Sequence, residues 1–151
     1  MQFSTVLVIA LCLPASALAQ EKQIQRAELP PAVEKTVATE SRGATIRGFS
    51  KETEHGETYY EAEMMVSGHS KDVLLDKSGS IVEVEEQIAF ESLPSEVKEG
   101  LQSKTGSGKI LKVESLTKRG KLVAYEAKVF SNGKMREIQV GPDGNALGHE
   151  E

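Results

Sequence analysis

The sequence has one cysteine, Cys12, no tryptophan and three histidines in 151 residues. A lone thiol closes no internal disulfide, so a disulfide-stapled scaffold and a dithiol redox enzyme are both excluded. Aromatic residues make up 5% of the chain, while hydrophobic residues reach 38%, so a core has to be built from aliphatic side chains. Basic charge is not in excess. Eighteen Lys and Arg stand against 23 Asp and Glu, a net charge of −5 with a pI near 5.3. Nucleic acid is therefore not expected as a partner, because phosphate binding depends on clustered cations that release counterions. The length suits one ordinary domain or two very small ones.

What is present begins with an address. Val6 to Leu13 is an apolar run too short to span a bilayer, and it leads into Ala15-Ser16-Ala17-Leu18-Ala19, a small-x-small cleavage pattern. Residues 1–19 are read as a signal peptide cut after Ala19. Cys12 follows Leu11, not the small residue that lipid attachment needs, so a lipoprotein is not expected. The mature chain then has no cysteine and no later run of transmembrane length, so it is expected to be periplasmic or secreted without stable membrane insertion.

The mature chain repeats itself. Leu29-Pro30-Pro31-Ala32-Val33 returns as Leu93-Pro94-Ser95-Glu96-Val97, and Tyr60-Glu61-Ala62 returns as Tyr125-Glu126-Ala127. Val73, Leu75 and Gly79 fall on Ile138, Val140 and Gly144. The organisation read from this is a linker at 20–27, a first copy at 28–90 and a second at 91–151.

Each copy opens with a helix signal. Proline suits a helix start, where its missing N–H would have no partner, and Leu29, Val33 and Val37 make one apolar stripe; Leu93, Val97 and Leu101 make the other. Gly43 and Gly106 are expected to end the two helices. The period then drops to two. Strands are expected at 44–52, 58–66, 71–76 and 80–86, then at 109–117, 122–130, 135–140 and a short Ala146–His149. Dipeptides such as Ser67-Gly68, Arg119-Gly120 and Asn132-Gly133 supply tight hairpins between them. The fold class expected is α+β: a tandem repeat of a helix plus a three- to four-stranded antiparallel sheet, α-β4-α-β4, with the helices on one sheet face.

The two Leu-Pro-x-x-Val openings, the Tyr-Glu-Ala hairpins at 60–62 and 125–127, and the closing Asp76-Lys77-Ser78-Gly79 and Pro142-Asp143-Gly144 resemble PepSY-like, β-lactamase-inhibitor-like domains. The resemblance covers nearly all of residues 27–151. It implies an exported, non-catalytic module that binds or inhibits another extracytoplasmic protein. Gly141 stands where the first copy has Asp76.

Fragments that imitate catalytic motifs lack the rest of the chemistry. Lys104-Thr105-Gly106 and Ser115-x-x-Lys118 are similar to two serine β-lactamase elements, but their order is reversed and no Ser-Asp-Asn occurs. Gly106-Ser107-Gly108-Lys109 has Ile110 where a phosphate loop needs Ser or Thr, and it follows a helix instead of starting one. His55, His69 and His149 lie beside turns or a terminus, without metal-ligand spacing. Asp76-x-Ser78-x-Ser80 starts like a calcium loop, but Ile81 and Gln87 occupy positions that need Gly and Glu. No catalytic residue, metal or cofactor is assigned.

A binding surface remains. Residues 20–90 carry 8 basic and 14 acidic side chains, against 10 and 9 in residues 91–151, so the charge is lopsided. On the central strands, the face away from the helices is expected to present Tyr59, Glu61, Glu63 and Met65, together with Glu126, Lys128 and Phe130. Aromatic and Met side chains among charges suit contact with a protein. The function read from the sequence is therefore a non-catalytic module that binds a protein of the cell envelope or exterior. A small-ligand or Ca2+-binding envelope protein is the alternative, and a hydrolase with an unrecognised site stands behind it.

Overall fold

A computed structural model describes residues 21–54 and 56–151. The expected signal peptide and His55 lie outside the described residues. Eight strands form a single antiparallel sheet in which every strand neighbours the next in sequence. They are β1 (Lys22–Gln23), β2 (Thr45–Glu54), β3 (Glu57–Val66), β4 (His69–Asp76), β5 (Ile81–Gln87), β6 (Lys109–Lys118), β7 (Lys121–Ser131) and β8 (Lys134–Val140). Helix α1 (Pro31–Glu40) lies between β1 and β2, and α2 (Ser95–Thr105) between β5 and β6. A single 3-10 turn precedes each helix, at Arg26–Glu28 and Phe90–Ser92.

The α-β4-α-β4 expectation is corrected by this arrangement. The two halves are not separate helix-plus-sheet units, because β5 pairs with β6 from Glu83↔Lys118 to Gln87↔Glu114 and the ladder runs unbroken across the midpoint. Two small sheets would each expose an unpaired edge there, and pairing the edges satisfies those backbone groups. The strand expected at Ala146–His149 does not form; residues 141–151 leave the sheet as irregular chain. Pro142 has no N–H to give a ladder. The eighth strand is instead β1, a two-residue strand paired to Ser50 and Lys51.

The turns follow the local chemistry. Ser67-Gly68, Arg119-Gly120 and Asn132-Gly133 hold positive φ at both residues, the tight-hairpin geometry that matches strand twist. Arg47 and Leu111 sit where the register slips in β2 and β6.

Residues paired across adjacent strands point to the same face, so the register sorts the sheet. Ala62 pairs with Val73, Val73 with Val84, Val113 with Ala127, and Ala127 with Ile138. This face packs under the helices in two clusters. Val33 and Val37 of α1 meet Phe49, Ala62, Met64, Val73 and Leu75. Val97 and Leu101 of α2 meet Val113, Ala127, Val129, Ile138 and Val140. Val97 and Leu101 are fully buried, each stabilising the fold by roughly 1.5–3 kcal/mol. No helix among the described residues is long and apolar enough to cross a membrane.

Candidate functional site: the helix-free sheet face

The opposite face carries no helix, and its residues follow from the same register. Ser50 pairs with Glu61, Glu61 with Leu74 and Leu74 with Glu83. One rung along, Glu63 pairs with Asp72, Asp72 with Glu85 and Glu85 with Leu116. Gln87 pairs with Glu114, Glu114 with Glu126 and Glu126 with Gln139. The structure thus places Tyr59, Glu61, Glu63, Met65, Glu126, Lys128 and Phe130 on one face. The first four lie on β3 and the last three on β7.

Between these two strands lie residues that the sequence reading did not assign to the site: Asp72 on β4, Glu83 and Glu85 on β5, and Lys112, Glu114 and Lys118 on β6. A usable signal was present in Val82-Glu83-Val84-Glu85, whose alternation sends both carboxylates to one side. What was missing was the β5–β6 ladder, which moves these strands from the margins of two sheets to the middle of one.

The face is walled closely enough to desolvate polar groups. Glu114 is 3% exposed, and Leu116 and Ala124 are also buried. Glu114 takes the Lys112 ammonium and the Ser70 hydroxyl, the latter at 3.3 Å. The Ser50 hydroxyl donates to Glu61 at 3.1 Å, and the Gln139 amide donates to Glu126 at 2.8 Å. The chain after β8 returns to this face: the Glu151 N–H donates to Gln139 Oε1 at 2.8 Å, and its carboxylate lies 3.6 Å from Lys118 Nζ.

Burial disfavours the charged form of carboxylates, and close neighbours of like charge add to the effect. Burial, then Asp72, pushes Glu61 up to about 7 despite the Ser50 hydroxyl. Glu85 is raised further, to about 8, by burial and then by Glu114 and Glu126. Asp72 rises to about 6, burial outweighing the Lys112 ammonium. Burial also raises Glu83 and Glu126. Carboxylate oxygens of Asp72, Glu85 and Glu114 lie within 4.8 Å of one another, and so do those of Glu21, Glu61 and Glu63.

The motif fragments are absorbed by packing. Lys104 Nζ donates to the Gln139 carbonyl at 2.8 Å, and Thr105 Oγ1 to the Leu101 carbonyl at 2.7 Å. Ser115 pairs with Tyr125 on the helix side, whereas Lys118 reaches Glu83 at 3.9 Å on the other. The Asp76 carboxylate accepts the N–H groups of Ser78 and Ser80, closing the loop on itself. His69 pairs with Val66 at the start of β4, and His149 is exposed beside Glu151 at 3.7 Å.

Neither a family model nor a curated protein matches the chain. Solved structures do. A BLIP-like protein from Bacteroides fragilis aligns with a TM-score of 0.59 and 21% identity over 81% of this chain and 85% of that one. A "putative periplasmic" protein from Bacteroides eggerthii gives 0.63 and 16% over 78% and 85%. A DUF2874 family protein from Bacteroides ovatus gives 0.59 and 19% over 78% and 84%. At these identities what is shared is the fold, and it is a BLIP-like one.

Proposed function

We propose that this chain is an exported, non-catalytic module that binds another extracytoplasmic protein across its helix-free sheet face, and inhibits it where that partner is an enzyme. The observation that carries the reading is the face itself: both helices pack on one side of the sheet, and the other side carries charged, aromatic and Met side chains with no helix over them. Phe130 and Met135, directly paired across β7 and β8, are 46% and 54% exposed. An apolar pair at the edge of a charged field suits a protein contact. Export is supported by the short apolar run and the Ala17-Leu18-Ala19 pattern, and periplasmic residence by the name of the B. eggerthii neighbour. The Leu-Pro-x-x-Val openings at 29–33 and 93–97 support a PepSY-like assignment.

A photo-crosslinking side chain at position 130 or 61, in tagged mature protein incubated with its native envelope, is expected to trap one partner. The same group at Glu99 on α2 is expected to trap none. Glu61→Lys with Phe130→Ala is expected to abolish the adduct formed from a third open-face position, Lys128. Adducts that form equally from Glu99 would overturn the reading.

A further inference from the structure

Resting on that reading, we propose that the partner is cationic: a Lys- or Arg-bearing segment of another protein that lies across β3 to β5 and pairs with Glu61, Glu63, Asp72 and Glu85. Charge on the β3–β5 part of the face is one-sided. No Lys or Arg of β3, β4 or β5 shares the face with these carboxylates, since Lys71, the only one in those strands, turns to the other side and reaches Glu40 of α1 at 3.0 Å. Lysines on β6 and β7 do face it: Lys109 and Lys121 at the strand ends, away from these carboxylates, and Lys112, Lys118 and Lys128, which each already have a carboxylate. Lys112 holds Glu114, Lys118 lies between Glu83 and Glu151, and Lys128 is 3.5 Å from Glu137.

Glu63, Asp72 and Glu85 stand directly opposite one another on three successive strands. Where these groups are ionised, like charges in that position destabilise a sheet, and a sequence selected for stability alone would alternate signs there. A cation from outside removes the conflict. The size of the row argues for a chain segment over a single ion. Glu61, Glu63, Asp72 and Glu85 occupy three adjacent strands at about 4.8 Å spacing, a row roughly 10 Å wide. A bound Ca2+ reaches oxygens only to about 2.5 Å, whereas some three residues of extended chain cover the row. The exposed Phe130–Met135 pair, on the same face beyond Lys128, favours a protein over a small polyamine. Protons held on Glu61 and Glu85 by burial and by their neighbours Asp72, Glu114 and Glu126 would be displaced by the incoming charge, so attraction strengthens from pH 6 to pH 8.

The test uses the full mature chain and a fluorescent octalysine peptide, read by anisotropy at low salt. Octalysine is expected to bind, more tightly at pH 8 than at pH 6. Glu61→Gln with Glu85→Gln is expected to weaken it by about tenfold. Glu96→Gln with Glu99→Gln, on exposed α2 positions, removes the same formal charge and is expected to leave binding unchanged. Gln preserves side-chain shape, and circular dichroism confirms that both variants are folded. Absence of octalysine binding, equal weakening by the two double variants, or displacement of the peptide by equimolar Ca2+ would each overturn the proposal. So would a crosslinked partner whose contact segment contains no Lys or Arg, which would leave the docking face standing. Absence of any crosslink would remove the docking face itself.

Discussion

Gly79 and Gly144 are each pressed against the backbone of a helix. A Cβ on Gly79 would run into the carbonyl of Ala32 on α1, and one on Gly144 into the carbonyl of Glu96 on α2. Both also hold φ near +80°, where a side chain is strained. The Thr36 hydroxyl completes the first contact by donating to the Gly79 carbonyl at 2.7 Å. Gly79→Ala is therefore expected to cost about 2 kcal/mol or more, read as a lowered urea midpoint. Gly56→Ala has a similar φ and open space around it, and should cost only about 1 kcal/mol. At this scale the sequence was partly legible. Alternation in β3 and β7 placed Tyr59, Glu61 and Phe130 on one side, but the deeper carboxylates Asp72, Glu85 and Glu114 were missed. Their burial depends on partners up to 44 positions away, as Ser70 is from Glu114, which no local pattern encodes.

Among the elements, the long strands and both helices announce themselves because periodicity and Gly-containing turns agree on their limits. The shortest piece was not legible. Lys22–Gln23 has no alternation to read, and it becomes a strand only because β2 offers an open side, with the next N–H, that of Ile24, donating to Phe49 at 3.0 Å. The far side of the sheet is guarded differently. On β8 the Gln139 carbonyl accepts from Lys104, and Arg136 reaches back to the carbonyls of Lys104 and Thr105, both at 3.0 Å. Edge acceptors left bare invite another chain. Lys104→Ala is expected to lose about 1 kcal/mol of stability and to show concentration-dependent association by sedimentation.

Over the whole molecule, the carboxylates of the helix-free face set how stability follows pH. Glu61, Asp72 and Glu85 are raised when folded, to about 7, 6 and 8, so the native state binds more protons than the unfolded chain from about pH 4 upward. Their contribution is complete below that range and is lost as pH rises through 6 to 8. The thermal midpoint should fall by a few degrees between pH 5 and pH 8, and Glu85→Gln should flatten that slope in a melting series. Asp76 and Asp143 are lowered by hydrogen bonds from Ser78 and Asn145, so they act in the opposite sense at acid pH. The tandem reading failed at this scale for a physical reason. Repeated landmarks record what each segment forms locally, whereas fusion into one sheet depends on two edges meeting. One outcome of that meeting is kinetic. Because each strand's neighbours are the strands just before and just after it, an emerging chain can add them one at a time, with no early strand waiting for a distant mate. That order of assembly shortens the interval in which a naked ribbon edge faces crowded surroundings.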